Sequence, residues 1–330
     1  MKTAKMKGTM SISNLPCSTA FRLKAIPPYD LSLTIHKPAG WSFLTPFEIF
    51  EDNTLWTGMR LNYGKMFGLK LGSVGTVERP EIFCTVFSRK KVSIKERKEL
   101  SEMASWMLSI KEDIREFYAL AEHDPLVKPL VEDLYGMRST KRPDIFPRLV
   151  LAVTLQMAPM RRSDQMMNLL IKEYGEKIVF DGKEVLYWPS PERIAKADVR
   201  ELEERCKLGY RAKPLKGIAE AICKGFPTLQ ELEKMSAEEA KAKLMGLKGI
   251  GEYSADIVSP HPGFALDVWS AKIFNLLLFR EKAESPRNII PKLKKIAEDR
   301  WGKWRGYVFT YVLNDLNNLS RRFNLNLTEL

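Results

Sequence analysis

The alternation of apolar and polar positions changes character near residue 98. Before it come short runs: "FRLKAI" from Phe21, "DLSLTIH" from Asp30, "TLWTGMRL" from Thr54, "FGLKLGSVGTVE" from Phe67 and "IFCTVFS" from Ile82. They are rich in β-branched and aromatic residues and separated by Gly, Pro, Asn or Asp, so about five antiparallel strands are predicted. After it the spacing becomes helical, beginning with "IKERKELSEMASWMLSIKEDIREFYALA" and continuing in segments with polar breaks. The pattern predicts an α+β chain, with residues 1–98 forming an N-terminal antiparallel sheet domain and residues 99–330 all-α. The first dozen residues, "MKTAKMKGTMSI", read as a mobile basic tail.

One segment, "LMGLKGIGEYSADIVSPHPGFALDVWSAKIF" from Leu244 to Phe274, is apolar enough for a core yet repeatedly interrupted. Upstream, Ser236 with Glu239 makes a capping-box pattern, which predicts a helix from about Ala237 to Met245. A second helix is expected to start at Glu252 and to end before Pro260 and Pro262, which cannot continue it. Between them lie Leu247, Lys248, Gly249, Ile250 and Gly251, so residues 237–259 read as a helix-hairpin-helix. Gly249 and Gly251 are expected to allow a tight turn that leaves amide N–H groups facing a phosphate, with Lys248 adding charge. A plain αα-corner would use the same glycines. Asp267 then precedes "VWSAKIFNLLLF", in the place of a helix N-cap, where the helix dipole favours an anion.

Composition narrows the partner. The 330 residues are 45% hydrophobic and 28% charged, enough for one large or two ordinary domains with a proper core. Lys plus Arg number 53 against 41 for Asp plus Glu, and a formal charge of +12 points to a polyanion such as nucleic acid or a membrane surface. No apolar run approaches the roughly 20 residues of a membrane span, and no signal-peptide core is visible, so a cytoplasmic location is expected. Cys17, Cys84, Cys206 and Cys223 form no C-x-x-C, and His36, His123 and His261 show no ligand spacing, so no metal site is legible. The cysteines read as reduced thiols. Only three glutamines occur, a lean toward a thermophile.

"LKGIGEYSADIV" followed by "FALDVWSAKIF" resembles the helix-hairpin-helix (HhH-GPD) DNA glycosylase superfamily, with its hairpin, Gly/Pro-rich loop and following aspartate. "LGYRAKPLKGIAEAI" from Leu208 is similar to a motif of the 8-oxoguanine DNA glycosylase branch. "AIPPYDLSLTI" from Ala25 and "WGKWRGYVFTYVL" from Trp301 look more like the 3-methyladenine DNA glycosylase II branch. Together the resemblance reaches from about residue 21 to residue 313 in family order, and an archaeal member is expected. The resemblance implies a TBP-like N-terminal sheet followed by two helical subdomains with the active site in the cleft between them.

It also implies roles. Asp267 would be catalytic, since cleavage of an N-glycosidic bond gives the sugar oxocarbenium character that a carboxylate stabilises. Family members that also cleave the strand carry a lysine where this chain has Tyr253, and a phenol cannot form an imine. The implied enzyme is therefore monofunctional, hydrolysing the bond to a flipped damaged base, with an alkylated purine favoured over oxidised or deaminated ones. The alternatives are a bifunctional 8-oxoguanine glycosylase/AP lyase and a non-catalytic DNA-binding protein. Base flipping needs a wedge and a pocket. The wedge would be the loop of Met157, Ala158, Pro159 and Met160, with Tyr210 and Arg211 near the orphaned base. Trp269, Trp301 and Trp304 would wall the pocket, because aromatic faces attract electron-poor bases. The implied partner is double-stranded DNA containing a damaged base, bound by a monomer. No cofactor is expected, since the family's four-cysteine iron–sulfur cluster has no counterpart after Cys223.

Overall fold

The computed structural model describes residues 11–36, 47–61, 64–141, 144–261, 263–281 and 285–328. Most of the expected basic tail, residues 1–10, lies outside them, whereas Ser11 and Ile12 belong to a first strand, β1 (Ser11–Asn14). β2 (Cys17–Lys24), β3 (Ile49–Glu51), β4 (Thr54–Arg60), β5 (Met66–Ser73) and β6 (Glu81–Ser88) form an antiparallel sheet in the order β2-β6-β5-β4-β3.

"DLSLTIH" is not one of its strands. Asp30 caps a short helix, α1 (Leu31–Ile35), accepting a hydrogen bond from the Leu33 N–H at 2.8 Å. Thr34 donates to the Asp30 carbonyl at 2.5 Å. Local side-chain capping here outcompetes the strand-like alternation, and the fifth strand is the short β3.

The second half is not all-α. β7 (Glu176–Phe180) and β8 (Lys183–Tyr187) form a hairpin, and β1 pairs in parallel with β7 to complete a three-stranded sheet. The turn residues Asp181 and Gly182 both have positive φ, at 51° and 70°. Asp-Gly between β-branched runs is a strong hairpin signal. This small sheet lies against the large one so closely that a Cβ at Gly58 or Gly68 would fall 2.6 Å from the ring of Tyr187 or Phe180. Trp56, Ile178, Phe180 and Val185 fill the space between them. The other face of the large sheet packs on α2 (Ile94–Met107) through Leu100, Met103, Ala104 and Met107.

The helices build two further cores. One comprises α5 (Ile145–Leu155), α6 (Met160–Tyr174), α7 (Pro191–Ala195), α8 (Val199–Glu204), α9 (Ala212–Cys223), α10 (Leu229–Glu233), α11 (Ala237–Met245) and α12 (Glu252–Val258). The other comprises α3 (Arg115–His123) and α4 (Val127–Asp133), together with α13 (Val268–Phe279), α14 (Pro286–Trp301), α15 (Arg305–Asn314) and α16 (Leu316–Phe323). The chain crosses from the first core to the second between α12 and α13, which is where the hairpin meets Asp267.

Candidate active site

The hairpin helices have the bounds read from the sequence, and the capping box is formed. Ser236 Oγ accepts from the Glu239 N–H at 3.2 Å, and the Glu239 carboxylate accepts from the Ser236 N–H at 2.9 Å. Leu247 and Ile250 are buried in the first core, leaving Lys248, Gly249 and Gly251 exposed. Gly249 is needed: its φ is +93°, and a Cβ there would lie 2.8 Å from Pro214 of α9. Gly251 is a correction to the expected paired tight turn, since its φ of −93° suits any residue. No atom lies within 4 Å of where its Cβ would be, so the start of α12 is open to a close approach.

α12 is also clamped. Lys241 of α11 bonds Glu252 at 3.0 Å and Asp256 at 2.9 Å, and Lys294 of α14 bonds the same two carboxylates at 3.2 Å each.

Asp267 is the N-cap of α13 and is partly exposed. Its Oδ1 accepts from the Ser270 N–H and the Ser270 hydroxyl, both at 2.7 Å, which fixes the rotamer. Its Oδ2 accepts from the Tyr253 hydroxyl at 3.3 Å, so a residue of α12 touches the acid across the junction of the two cores. Burial, and after it the negative charge of Asp267, push the Tyr253 phenol well above its usual value. It therefore stays protonated and donates. The D-x-x-S capping pattern at 267–270 is legible in the sequence, although only its aspartate is singled out there.

A second loop reaches the hairpin from α5. Gln156 donates through Nε2 to the Gly249 carbonyl at 2.7 Å and to Ser254 Oγ at 3.0 Å. In the sequence Gln156 opens the wedge loop "QMAPMRR" but is given no role of its own. The next residue, Met157, is 84% exposed and has φ +48°, a left-handed conformation uncommon for a side chain of this kind. Ala158 is half-buried, Pro159 caps α6, and the side chain of Met160 lies outside the described residues. The Tyr210 hydroxyl lies 3.5 Å from the Gln156 carbonyl, and the Arg211 guanidinium donates to the same oxygen while lying 4.4 Å over the Tyr210 ring. Tyr210 is exposed and Arg211 buried, so Arg211 braces this loop from beneath.

The three tryptophans separate. Trp301 departs from the expected pocket wall: it is 2% exposed, packs on Phe264 and Phe274, and donates its indole N–H to Asp124 at 2.8 Å. A fully buried indole with its N–H satisfied is core. Trp304 stands between Phe117 and Tyr307 at the rim of a cleft of about 750 Å³ that Glu112, Arg115 and Lys303 also line. Trp269, half-buried on the second core, is two residues from Asp267. All four cysteines are free thiols, and burial pushes Cys206 up to about 12. No group of three or more metal-ligating side chains occurs among the described residues.

Together these features define a helix-hairpin-helix module with a capped carboxylate facing it. Residues 150–299 match the family model of the HhH-GPD superfamily base excision DNA repair protein. The chain is 26% identical over 162 residues to the DNA-3-methyladenine glycosylase of Bacillus subtilis, covering 49% of this chain and 54% of that protein. It spans little more than half the length of the curated relatives it matches. Among solved structures, the 3-methyladenine DNA-glycosylase from Archaeoglobus fulgidus superposes with a TM-score of 0.72 at 19% identity, over 93% of this chain and 100% of that one. The Clostridium acetobutylicum 8-oxoguanine glycosylase/lyase gives 0.64 at 18%, over 89% and 95%. At such identities the likeness establishes the fold. No helix among the described residues is long and apolar enough to cross a membrane.

Proposed function

We propose that the chain is a monofunctional DNA glycosylase, acting as a monomer in the cytoplasm, that flips a damaged base from duplex DNA and hydrolyses its N-glycosidic bond. The observation that carries this reading is the contact between Asp267 and Tyr253. One carboxylate oxygen is fixed by Ser270, and the other is met by a phenol where strand-cleaving members of the resembled family carry a lysine.

Asp267 stabilises the oxocarbenium-like sugar as the bond to the base breaks, and water adds to the sugar carbon. The water's proton passes to Asp267 or to solvent, and the departing base takes the bonding electron pair. An alkylated purine carries positive charge and leaves without protonation, which fits both the reaction and the names of the B. subtilis and A. fulgidus proteins. The open start of α12 and Lys248 are suited to a backbone phosphate, and Met157 to filling the gap left by the flipped base. Trp269 is the tryptophan nearest Asp267 in the chain and is assigned to the pocket. The hydrolysis uses water as nucleophile and requires no cofactor.

A panel of duplexes, each carrying one alkylated, oxidised or deaminated base, tests the activity in single-turnover assays. The expected result is base release with strand breakage only after alkali, and no adduct trapped by borohydride during turnover. A robust trapped adduct lost in Lys248→Ala, or in Lys272→Ala on α13 five residues beyond Asp267, would overturn the monofunctional assignment.

A further inference from the structure

Beyond the hairpin and Asp267, a groove runs along α6. It encloses about 530 Å³ and is lined by Arg161, Asp164, Asn168 and Lys172 of α6, and by Lys207 from the turn before Tyr210. Three cations outnumber one carboxylate, and none of the three enters an ion pair among the described residues, whereas neighbouring Arg205 is bound to Glu173. Arg161, Lys172 and Lys207 are all exposed. A concave surface with this charge excess attracts a polyanion and has no internal counter-charge sufficient to balance it.

The groove's position follows from a chain of hydrogen bonds. The hairpin carbonyl of Gly249 is bonded by Gln156, and the Gln156 carbonyl by Arg211. Lys207 lies in the same turn as Tyr210 and Arg211, and its own carbonyl is held by Arg162 of α6 at 3.0 Å. Along this chain of contacts the order is hairpin, Met157 loop, Tyr210 turn, groove. In that contact order exposed Met157 comes between Lys248 of the hairpin and the α6 groove. A duplex opened over Met157 presents one backbone to each.

We propose that the α6 groove is a second polyanion site, holding phosphates of the strand that carries the orphaned base while the hairpin holds the lesion strand. This rests on the glycosylase reading for which strand is which, but not for the presence of the site.

The test uses a duplex with a single tetrahydrofuran abasic analogue and an undamaged duplex of equal length, titrated over a salt series by fluorescence anisotropy. Arg161→Gln, Lys172→Gln and Lys207→Gln are each expected to weaken binding to both duplexes by about threefold to tenfold. The triple variant is expected to make the log–log salt slope shallower by about three units, one per lost phosphate contact. Exposed Lys128→Gln on α4 serves as the control and is expected to bind as the unaltered protein does. Neutral methylphosphonate linkages flanking the site on the analogue-free strand should weaken binding of the unaltered protein but leave the triple variant unaffected.

An unchanged slope in a triple variant of normal thermal stability would overturn the site. The same insensitivity produced by methylphosphonates on the analogue strand would overturn the strand assignment. A shallower slope in a protein that releases no base from any lesion duplex would sink the glycosylase reading alone, and normal excision with an unchanged slope would sink the groove alone.

Discussion

Asp124 and Asp267 are carboxylates of the same helical core with opposite surroundings. Asp124 is 7% exposed, and both of its oxygens are occupied. Oδ1 accepts from the N–H groups of Leu126 and Val127 at 2.9 and 3.2 Å and from Arg300 at 2.8 Å, while Oδ2 accepts from Arg300 and Trp301 at 2.7 and 2.8 Å. Asp267 spends one oxygen on Ser270 and leaves the other with a single contact at 3.3 Å. A carboxylate whose acceptor capacity is used up can only hold structure. One that is fixed on one side and nearly unoccupied on the other can meet a charge that develops later.

The largest expected effect is on the chemistry. Asp267→Asn keeps the shape and the Ser270 cap geometry but removes the charge, and is expected to slow single-turnover base release by about a thousandfold or more with duplex affinity retained. Near-normal excision would erase the distinction between the two acids.

Asp124→Asn should act on stability. It leaves Arg300 without its counter-charge and is expected to cost about 3 kcal/mol, read from chemical denaturation, with little change in the rate per folded molecule. Burial pushes the Asp124 carboxyl up, but the hydrogen bonds from Arg300 and Trp301 outweigh it and hold the group below its usual range. A lowered folded-state value means the stabilisation is complete above the unfolded value of about 3.9 and is lost as pH falls through the folded one. The stability gap between variant and unaltered protein should therefore be full at pH 6 and shrink only below about pH 4. A gap that closes between pH 8 and pH 6 would be inconsistent with this assignment.

The smallest effect is expected from Tyr253→Phe, which removes one long hydrogen bond to Asp267 and leaves the ring in place. Base release should slow by about fivefold, the value of a single hydrogen bond near 1 kcal/mol, without a change in duplex binding. A loss as large as that of Asp267→Asn would make the phenol a full partner in the reaction.

Much of this site was legible because its elements are punctuated locally. Ser236 with Glu239 and the prolines beyond Val258 mark the hairpin's bounds, and Asp267 stands where a cap is needed. The misreadings come from competition that local patterns do not display. "DLSLTIH" alternates like a strand, yet Asp30 and Thr34 supply caps that close a helical turn. The Asp181-Gly182 hairpin was available to the same reasoning, and is obscured only by the helical segments around it. The contacts of Gln156, which opens the wedge loop, and of Trp301, which could equally have been core, were not legible. One donates to a carbonyl 93 positions away, and the other to an aspartate 177 positions away.

The clamp of Lys241 and Lys294 on α12 bears on how firmly the two cores are joined. Lys294 belongs to the second core, and Glu252 and Asp256 to the first, so these ion pairs act as a strut across the junction of the cores. A strutted junction offers the hairpin in a fixed orientation, and a docking duplex would then lose less free energy to ordering the protein. The Asp256 pairs, with that carboxylate only 13% exposed, persist better in salt than those of Glu252 at 62%. Rising ionic strength should therefore weaken the outer half of the strut first, while it also screens the phosphates the hairpin would hold.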